Sequence, residues 1–173
     1  MRSDKVKKLT LSAVFVSLSV LLCVFASFFP TLSLCIIAVS GIASAILLIH
    51  CGYKYSILAF LASAVLVFLL APDKECAAYY IILFGHYPAL KTFTERVTNR
   101  VAVWAVKIAE ANVLFAILFA VSTYILGIYD AVGKGEILIT ALAFNAAFIL
   151  YDICLGKIMF LYISKYLQNG RFH

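Results

Sequence analysis

Apolar residues run almost without interruption from Leu9 to Leu167, and the few charged residues form clusters about one bilayer crossing apart. A helix of roughly 20 apolar residues matches the ~30 Å hydrocarbon layer of a membrane. Such a helix also satisfies its own backbone N–H and C=O groups, which lipid cannot do. The pattern therefore predicts an all-α integral membrane protein in which a bundle of helices spans the bilayer.

Pro30, Gly52 and the Asp73-Lys74-Glu75 loop divide the first half of this apolar region, and a glycine-containing loop around Lys134 divides the second half. These breaks predict a six-transmembrane-helix bundle that forms a single transmembrane domain over 1–173. The predicted spans cover roughly 9–29, 32–49, 55–70, 76–90, 101–126 and 136–163, and the basic segment 91–100 is expected to lie at the membrane interface.

The positions of the basic residues orient these spans. One side of the membrane receives the N-terminal lysines, Lys54, the basic segment 91–100 and Lys165. The opposite side receives only Lys74 and Lys134, each beside acidic residues. Because Lys and Arg accumulate on the cytoplasmic side, the pattern predicts an even number of spans with both termini in the cytoplasm.

The composition excludes a soluble fold and argues against nucleic-acid binding. Of the 173 residues, 65% are hydrophobic and 13% are charged, whereas soluble domains have about 45–50% apolar and about 25% charged residues. The net charge is +6, but the basic residues lie at predicted helix ends, where they direct membrane insertion. The sequence has no H-E-x-x-H, G-x-S-x-G or P-loop pattern. We therefore expect no enzyme activity, no cofactor and no metal.

Polar side chains recur at the predicted middle of the membrane. At ~1.5 Å per residue, His86, Glu110 and Asn145 have similar depths, and Asn112 lies half a turn from Glu110. Ionisable groups at this depth are costly, so each is a candidate for function. Facing one cavity, they would bind a polar small molecule or relay a proton between Glu110 and His86. The alternative is a structural role as hydrogen bonds between helices, worth ~0.6–2 kcal/mol each.

Tyr79 and Tyr80 follow the acidic loop at the outer end of the fourth predicted span. They belong either to the aromatic belt of the interface or to a pocket that opens outward, where their ring faces would bind a flat heterocycle. The predicted substrate-binding residues are Tyr79, Tyr80, His86, Glu110, Asn112 and Asn145.

Two further features predict contacts between helices. Lys107 and Asp152 have comparable depths in the inner half of the fifth and sixth spans, and we interpret them as a structural ion pair. Small residues recur four positions apart on the early helices, as at Ala13 and Ser17. This spacing lets helix backbones approach closely, either inside the bundle or against a partner membrane helix.

The chain resembles the substrate-binding S components of energy-coupling-factor (ECF) transporters, which are small six-helix bacterial membrane proteins. Its first span begins Lys7-Lys8-Leu9-Thr10 and carries Ala13 and Ser17, and the second turn reads Cys51-Gly52-Tyr53-Lys54-Tyr55. This turn lacks the proline and the second glycine of the family's pattern, and the basic segment 91–100 and the Lys107/Glu110 pair depart from it. The resemblance implies a bacterial plasma-membrane protein with an outward pocket near Pro30 and Asp73. It also implies a transmembrane coupling subunit that contacts Ala13 and Ser17, and two ATPases.

The leading functional prediction is a membrane-embedded subunit that binds a small polar or heterocyclic micronutrient for uptake and depends on partner subunits for energy. The alternative is a non-transporting membrane protein that assembles with or regulates other membrane proteins. Its contact surfaces would be the small-residue positions and the 91–100 segment, where anionic lipid attracts each Lys or Arg by ~1 kcal/mol. An intramembrane enzyme with Glu110 and His86 as acid and base is a third reading, without a nucleophile or a metal set to accompany them.

Overall fold

The computed structural model of the chain describes residues 2–95, 99–125, 127 and 134–168, and all regular secondary structure in these residues is helical. Seven α-helices follow one another, with a 3₁₀ turn at Pro30–Leu32 and π-helical turns at Tyr80–Phe84 and Val121–Ile125. The helices are α1 Arg2–Ala26, α2 Ser33–Cys51, α3 Tyr53–Leu70, α4 Lys74–Tyr79, α5 Tyr87–Thr94, α6 Arg100–Ala120 and α7 Lys134–Gln168.

Within the described residues, five segments are long and apolar enough to cross a membrane: Asp4–Ala26, Pro30–Cys51, Tyr53–Leu70, Val101–Tyr124 and Glu136–Lys165. Large apolar side chains on these helices face outward, as at Leu21, Leu61 and Leu150, which are each more than half exposed. In water such a surface would be strongly unfavourable, and in a bilayer it faces lipid. The fold is therefore that of a multi-pass helical membrane protein.

The fourth predicted span is not one continuous helix. Residues 76–90 were expected to form a single helix, but α4 passes into π-helical turns and the chain breaks at Gly85 and His86 before α5 begins. Gly85 N–H donates to the Tyr80 carbonyl at 2.8 Å, five residues back, which closes a π turn. Pro88 stands in the first turn of α5, where its missing N–H is not needed.

The basic segment 91–100 begins with side chains that face the inside of the bundle. Lys91, expected to face lipid headgroups, is 3% exposed and packs against other helices. Thr94, one turn later, is also buried, whereas Glu95 is exposed. Residues 96–98, which include Arg96 of the predicted basic segment, lie outside the described part of the chain. Lys91 is therefore paired with α7 rather than open to headgroups, and the depth of the segment in the membrane stays a prediction.

Contacts between helix ends define the two ends of the bundle. At one end of the bundle, the ring of Tyr53 on α3 packs edge-on against Phe93 on α5, with centroids 4.9 Å apart. At the other end, Ala26 of α1, Ala71 after α3 and Cys76 of α4 belong to one buried cluster. The broken helix α4–α5 therefore runs from one end of the bundle to the other, between α1–α3 and α6–α7.

We predict that Gly85→Ala destabilises the fold by about 1–3 kcal/mol, because the added methyl overpacks the core. A Cβ at Gly85 would lie 2.6 Å from Cε2 of Phe60 and 3.0 Å from the Tyr80 carbonyl oxygen. Gly156→Ala is the matched control, since its Cβ would meet Lys91 Nζ at 3.4 Å, an ordinary contact. Thermal unfolding in detergent measures both, and an unchanged melting temperature for Gly85→Ala would contradict the packing argument.

Candidate functional site

The two midplane asparagines bind each other. Asn112 Nδ2 donates to Asn145 Oδ1 at 3.4 Å, and Asn145 Nδ2 donates to Asn112 Oδ1 at 3.2 Å. The second proton of each amide goes to its own helix, at Ile108 O and Ala141 O. All four amide protons of the pair are therefore used, which makes the pair a hydrogen-bonded link between α6 and α7 rather than a free set of donors.

His86 and Glu110 lie in different surroundings. The His86 ring packs 5.7 Å from the ring of Phe60 on α3, and Nδ1 lies 3.2 Å from the Ile81 carbonyl. Glu110 lies one turn after Lys107 on α6. Its Oε1 is buried without a hydrogen-bond partner among the described residues. The contacts of His86 are thus with Phe60 of α3 and with the π-helical turn at Tyr80–Phe84. A proton relay between His86 and Glu110 stays a prediction.

The adjacent tyrosines Tyr79 and Tyr80 diverge. Tyr80 is 1% exposed, and its hydroxyl lies 2.6 Å from Oγ of Ser63 on α3. Tyr79 points to the other side, donates its hydroxyl proton to the Glu75 carboxylate, and lines a cavity. Tyr80 is therefore a core residue, whereas Tyr79 lines a cavity. Substrate binding by either tyrosine stays a prediction.

Asp152 is the centre of a buried ionic cluster. The predicted pair is present, with Lys107 Nζ 2.7 Å from Asp152 Oδ2. Lys91 Nζ binds Oδ1 of the same carboxylate and also the Asp152 backbone carbonyl at 2.9 Å. Tyr87 donates its hydroxyl proton to Oδ1 at 2.6 Å. Glu95 completes the cluster, since Oε1 lies 3.2 Å from each lysine nitrogen.

This cluster joins α5, α6 and α7 and balances its own charge, with two lysines against Asp152 and Glu95. The side chains of Lys91, Lys107 and Asp152 are less than a tenth exposed, whereas that of Glu95 is 50% exposed. The sequence identified two members and missed Lys91, Glu95 and Tyr87. The four-residue spacing of Lys91 and Glu95 was the available signal.

A cavity of about 330 Å³, the Tyr79 cavity, lies between the α2 start, α4, α6 and α7. Its wall is mainly aromatic and aliphatic, with Ser122 and Thr140 as the hydroxyl-bearing residues besides Tyr79. The lining residues are Leu34, Tyr79, Leu83, Phe115, Leu118, Phe119, Ser122, Ile137, Thr140, Ala143, Phe144 and Ala147. Of the six residues predicted to bind substrate, Tyr79 is the one in this lining. The sequence analysis did not identify the other lining residues of the cavity, although those on α7 recur at helical spacing on one face of the helix.

A second depression runs along the bundle between α1 and α3. This α1–α3 groove has a volume of about 850 Å³ and extends on α1 from Leu9 to Val24. Ala13 and Ser17, predicted to contact a partner helix, both line it, together with the small residues Ala59 and Ala62 of α3. The lining is mainly apolar over about 22 Å of α1, roughly three quarters of the ~30 Å hydrocarbon layer.

Comparison with known proteins gives no relative from which a function can be taken. No protein-family model matches the chain, and no curated protein and no solved structure matches it. The function is therefore argued from the chemistry of these cavities and clusters.

We predict that Asp152→Asn destabilises the folded protein by about 3–5 kcal/mol, because it removes the buried carboxylate that binds both lysines and leaves them only the half-exposed Glu95. Lys157→Gln, an exposed charge on the same helix, should change stability by less than about 0.5 kcal/mol. The measurement is the fraction of protein that stays monodisperse after heating in detergent. Adding Lys107→Met to Asp152→Asn should restore part of the loss. Equal heat resistance of Asp152→Asn and wild type would disprove that the ionic cluster stabilises the fold.

Proposed function

We propose that this protein is a membrane-embedded substrate-binding subunit for uptake of a small ring-containing nutrient, energised by separate subunits. The observation that carries the proposal is the Tyr79 cavity. At about 330 Å³ it falls within the ~300–1,000 Å³ range of ligand pockets. Its aromatic walls at Tyr79, Phe115 and Phe144 suit a flat heterocycle, which stacks on ring faces or edges.

The proposal includes a topology of six crossings with both termini in the cytoplasm of a bacterial cell. The fourth crossing is the broken helix α4–α5, whose irregular backbone is sheltered by protein, with Tyr80, Gly85 and Tyr87 buried. The two layers of helix ends described above support this alternation. In this orientation the Tyr79 cavity lies in the outer half of the membrane, next to the turns that contain Pro30 and Asp73.

Energy would come from partners, because the sequence carries no P-loop with which to bind a nucleotide. We assign the α1–α3 groove to a membrane helix of a coupling subunit that binds ATPases, as the resemblance to S components implies. Ala13 and Ser17 would contact this helix, because small side chains allow two helix backbones to approach closely. Membrane lipid would cover the remaining apolar surface.

A second candidate is a non-transporting protein that assembles with other membrane proteins, and the same groove favours it. The two candidates differ in what the partner carries. A coupling subunit brings ATPases with it, whereas an assembly partner does not. The two candidates also differ at the Tyr79 cavity, since only the substrate-binding subunit requires a ligand in it.

We predict that Ala147→Phe lowers ligand occupancy at least about tenfold, because the ring fills the Tyr79 cavity that Ala147 lines. Ala146→Phe is the matched control, since Ala146 is exposed on the same helix and does not line the cavity. Native mass spectrometry of the purified protein measures the bound small molecule. Equal occupancy in both variants would exclude this cavity as the binding site.

We predict that a photo-crosslinking amino acid at Ser17 captures a membrane subunit that itself carries ATPases, because Ser17 lines the groove. The same amino acid at Leu18, an exposed neighbour outside the groove, should give at most weak capture. Crosslinking in intact membranes followed by mass spectrometry identifies the product. Capture of a partner without ATPases would favour the assembly function, and equal crosslinking at both positions would contradict docking in the groove.

A further inference from the structure

Glu110 is an acidic residue on a membrane-spanning helix, and none of the contacts described so far neutralises it. It lies nine residues, about 14 Å, after the start of the Val101–Tyr124 span. Its side chain is half-buried, and Oε1 is buried without a hydrogen-bond partner among the described residues. An ionised carboxylate in a membrane is costly unless it is paired or hydrated. A cation, water or a proton must therefore satisfy this carboxyl group.

The surface of α6 around Glu110 is apolar. Val106, Ile108 and Val113 flank Glu110 in the sequence, and each is about half exposed. In a bilayer these side chains contact acyl chains, so the part of Glu110 that protein does not cover lies among them. Acyl chains offer a carboxylate no hydrogen-bond donor. Water is therefore a poor source of stabilisation for an ionised Glu110.

The lysines near Glu110 are already paired. Lys107 lies three residues earlier on α6, and its Nζ is 2.7 Å from Asp152 Oδ2 and 3.2 Å from Glu95 Oε1. Lys91 binds the same two carboxylates. The cluster therefore has two positive and two negative charges. An ionised Glu110 would be a third carboxylate for the two lysines.

Among the described residues, the helices packed against this part of α6 present no unpaired cation to Glu110. Helix α7 presents Asp152, a like charge that repels an ionised Glu110. Helix α5 presents Tyr87, whose hydroxyl proton already goes to Asp152. Tyr80, the titratable residue of the adjoining π turn, is hydrogen-bonded to a serine of α3 instead. Protonation is therefore the remaining way to neutralise the Glu110 side chain.

We propose that Glu110 is a proton-binding site whose occupancy controls the ionic contact between α6 and α7. With its proton, Glu110 is neutral and leaves Lys107 to Asp152. When the proton passes to water, the new carboxylate lies three residues from Lys107, a spacing at which side chains on one helix can pair. Lys107 then moves from Asp152 to Glu110, and α6 loses its ionic contact with α7.

This site is separate from the Tyr79 cavity, whose lining does not include Glu110. The inference goes beyond the proposed function, and its failure would leave that function standing. The direction of the control follows from charge. Removing the proton at higher pH adds a negative charge to a cluster that is balanced without it, so the bundle loses stability as the pH rises.

Infrared spectroscopy tests the site directly, because the C=O stretch of a protonated carboxyl is separate from the bands of ionised carboxylates and of the peptide backbone. The full chain is measured over a pH series in nanodiscs of ether-linked phosphatidylcholine, which has no ester carbonyl. We expect one carboxylic acid per chain at neutral pH, with a band that shrinks as the pH rises. Glu110→Gln should lack the band, and it should fold because glutamine has the size of a protonated glutamate.

Glu136→Gln is the matched control, because it makes the same substitution at an exposed position. It should retain the band. Absence of the band from wild type at neutral pH, or its persistence in Glu110→Gln, would overturn the proton-binding site.

Thermal unfolding in detergent over the same pH series tests the control of α6 and α7. As the infrared band disappears, the melting temperature of wild type should fall by at least about 2 °C relative to that of Glu110→Gln, because wild type gains a charge at this position and the variant does not. Glu136→Gln should behave as wild type does. A constant difference between wild type and Glu110→Gln across the series would overturn the movement of Lys107, even where the band titrates.

Discussion

The Asp152 carboxylate and its two lysines are the interaction on which the second half of the bundle depends. In the membrane-spanning part of α7 only 11% of the residues are buried, compared with 39% in α2. Apolar packing of α7 is confined to a few positions, such as Phe148 and Leu155 in one buried cluster, and lipid offers no hydrophobic force to press helices together. The ionic cluster supplies that force, because separating α5, α6 and α7 would leave several charges exposed to hydrocarbon.

The break at Gly85 and His86 makes this cluster possible. A straight helix from Lys74 onward would keep one face toward α1–α3, as Tyr80 does through its contact with Ser63. The π turn and the break allow α5 to turn a different face, so that Tyr87 and Lys91 reach Asp152 on α7. The same segment thus packs against the first half of the bundle at its start and binds the second half at its end. The two halves are joined through α4–α5.

The sequence predicted the quantities that depend on distance along the chain. Five of the predicted spans correspond to long helices with shifted ends, and the Lys107–Asp152 pair and the Asn112–Asn145 contact follow from 1.5 Å per residue along facing helices. The sequence did not predict where the side chains of the broken fourth span point. The break directs His86 toward Phe60, and its depth in the membrane stays a prediction. Lys91 looked interfacial because its partner is 61 residues away along the chain.

The Tyr79 cavity and the α1–α3 groove are separated by α2, and that arrangement gives the proposed function a physical route. Ile37 of α2 packs in the cluster that contains Cys23 of α1, whereas Leu34, one turn earlier, lines the Tyr79 cavity. A partner helix that shifts α1 would therefore act on α2 directly. Because packed helices transmit displacement rather than absorb it, docking at the groove and ligand release from the Tyr79 cavity would share one rigid element. Under the assembly alternative the groove keeps its partner, but the Tyr79 cavity has no assigned role.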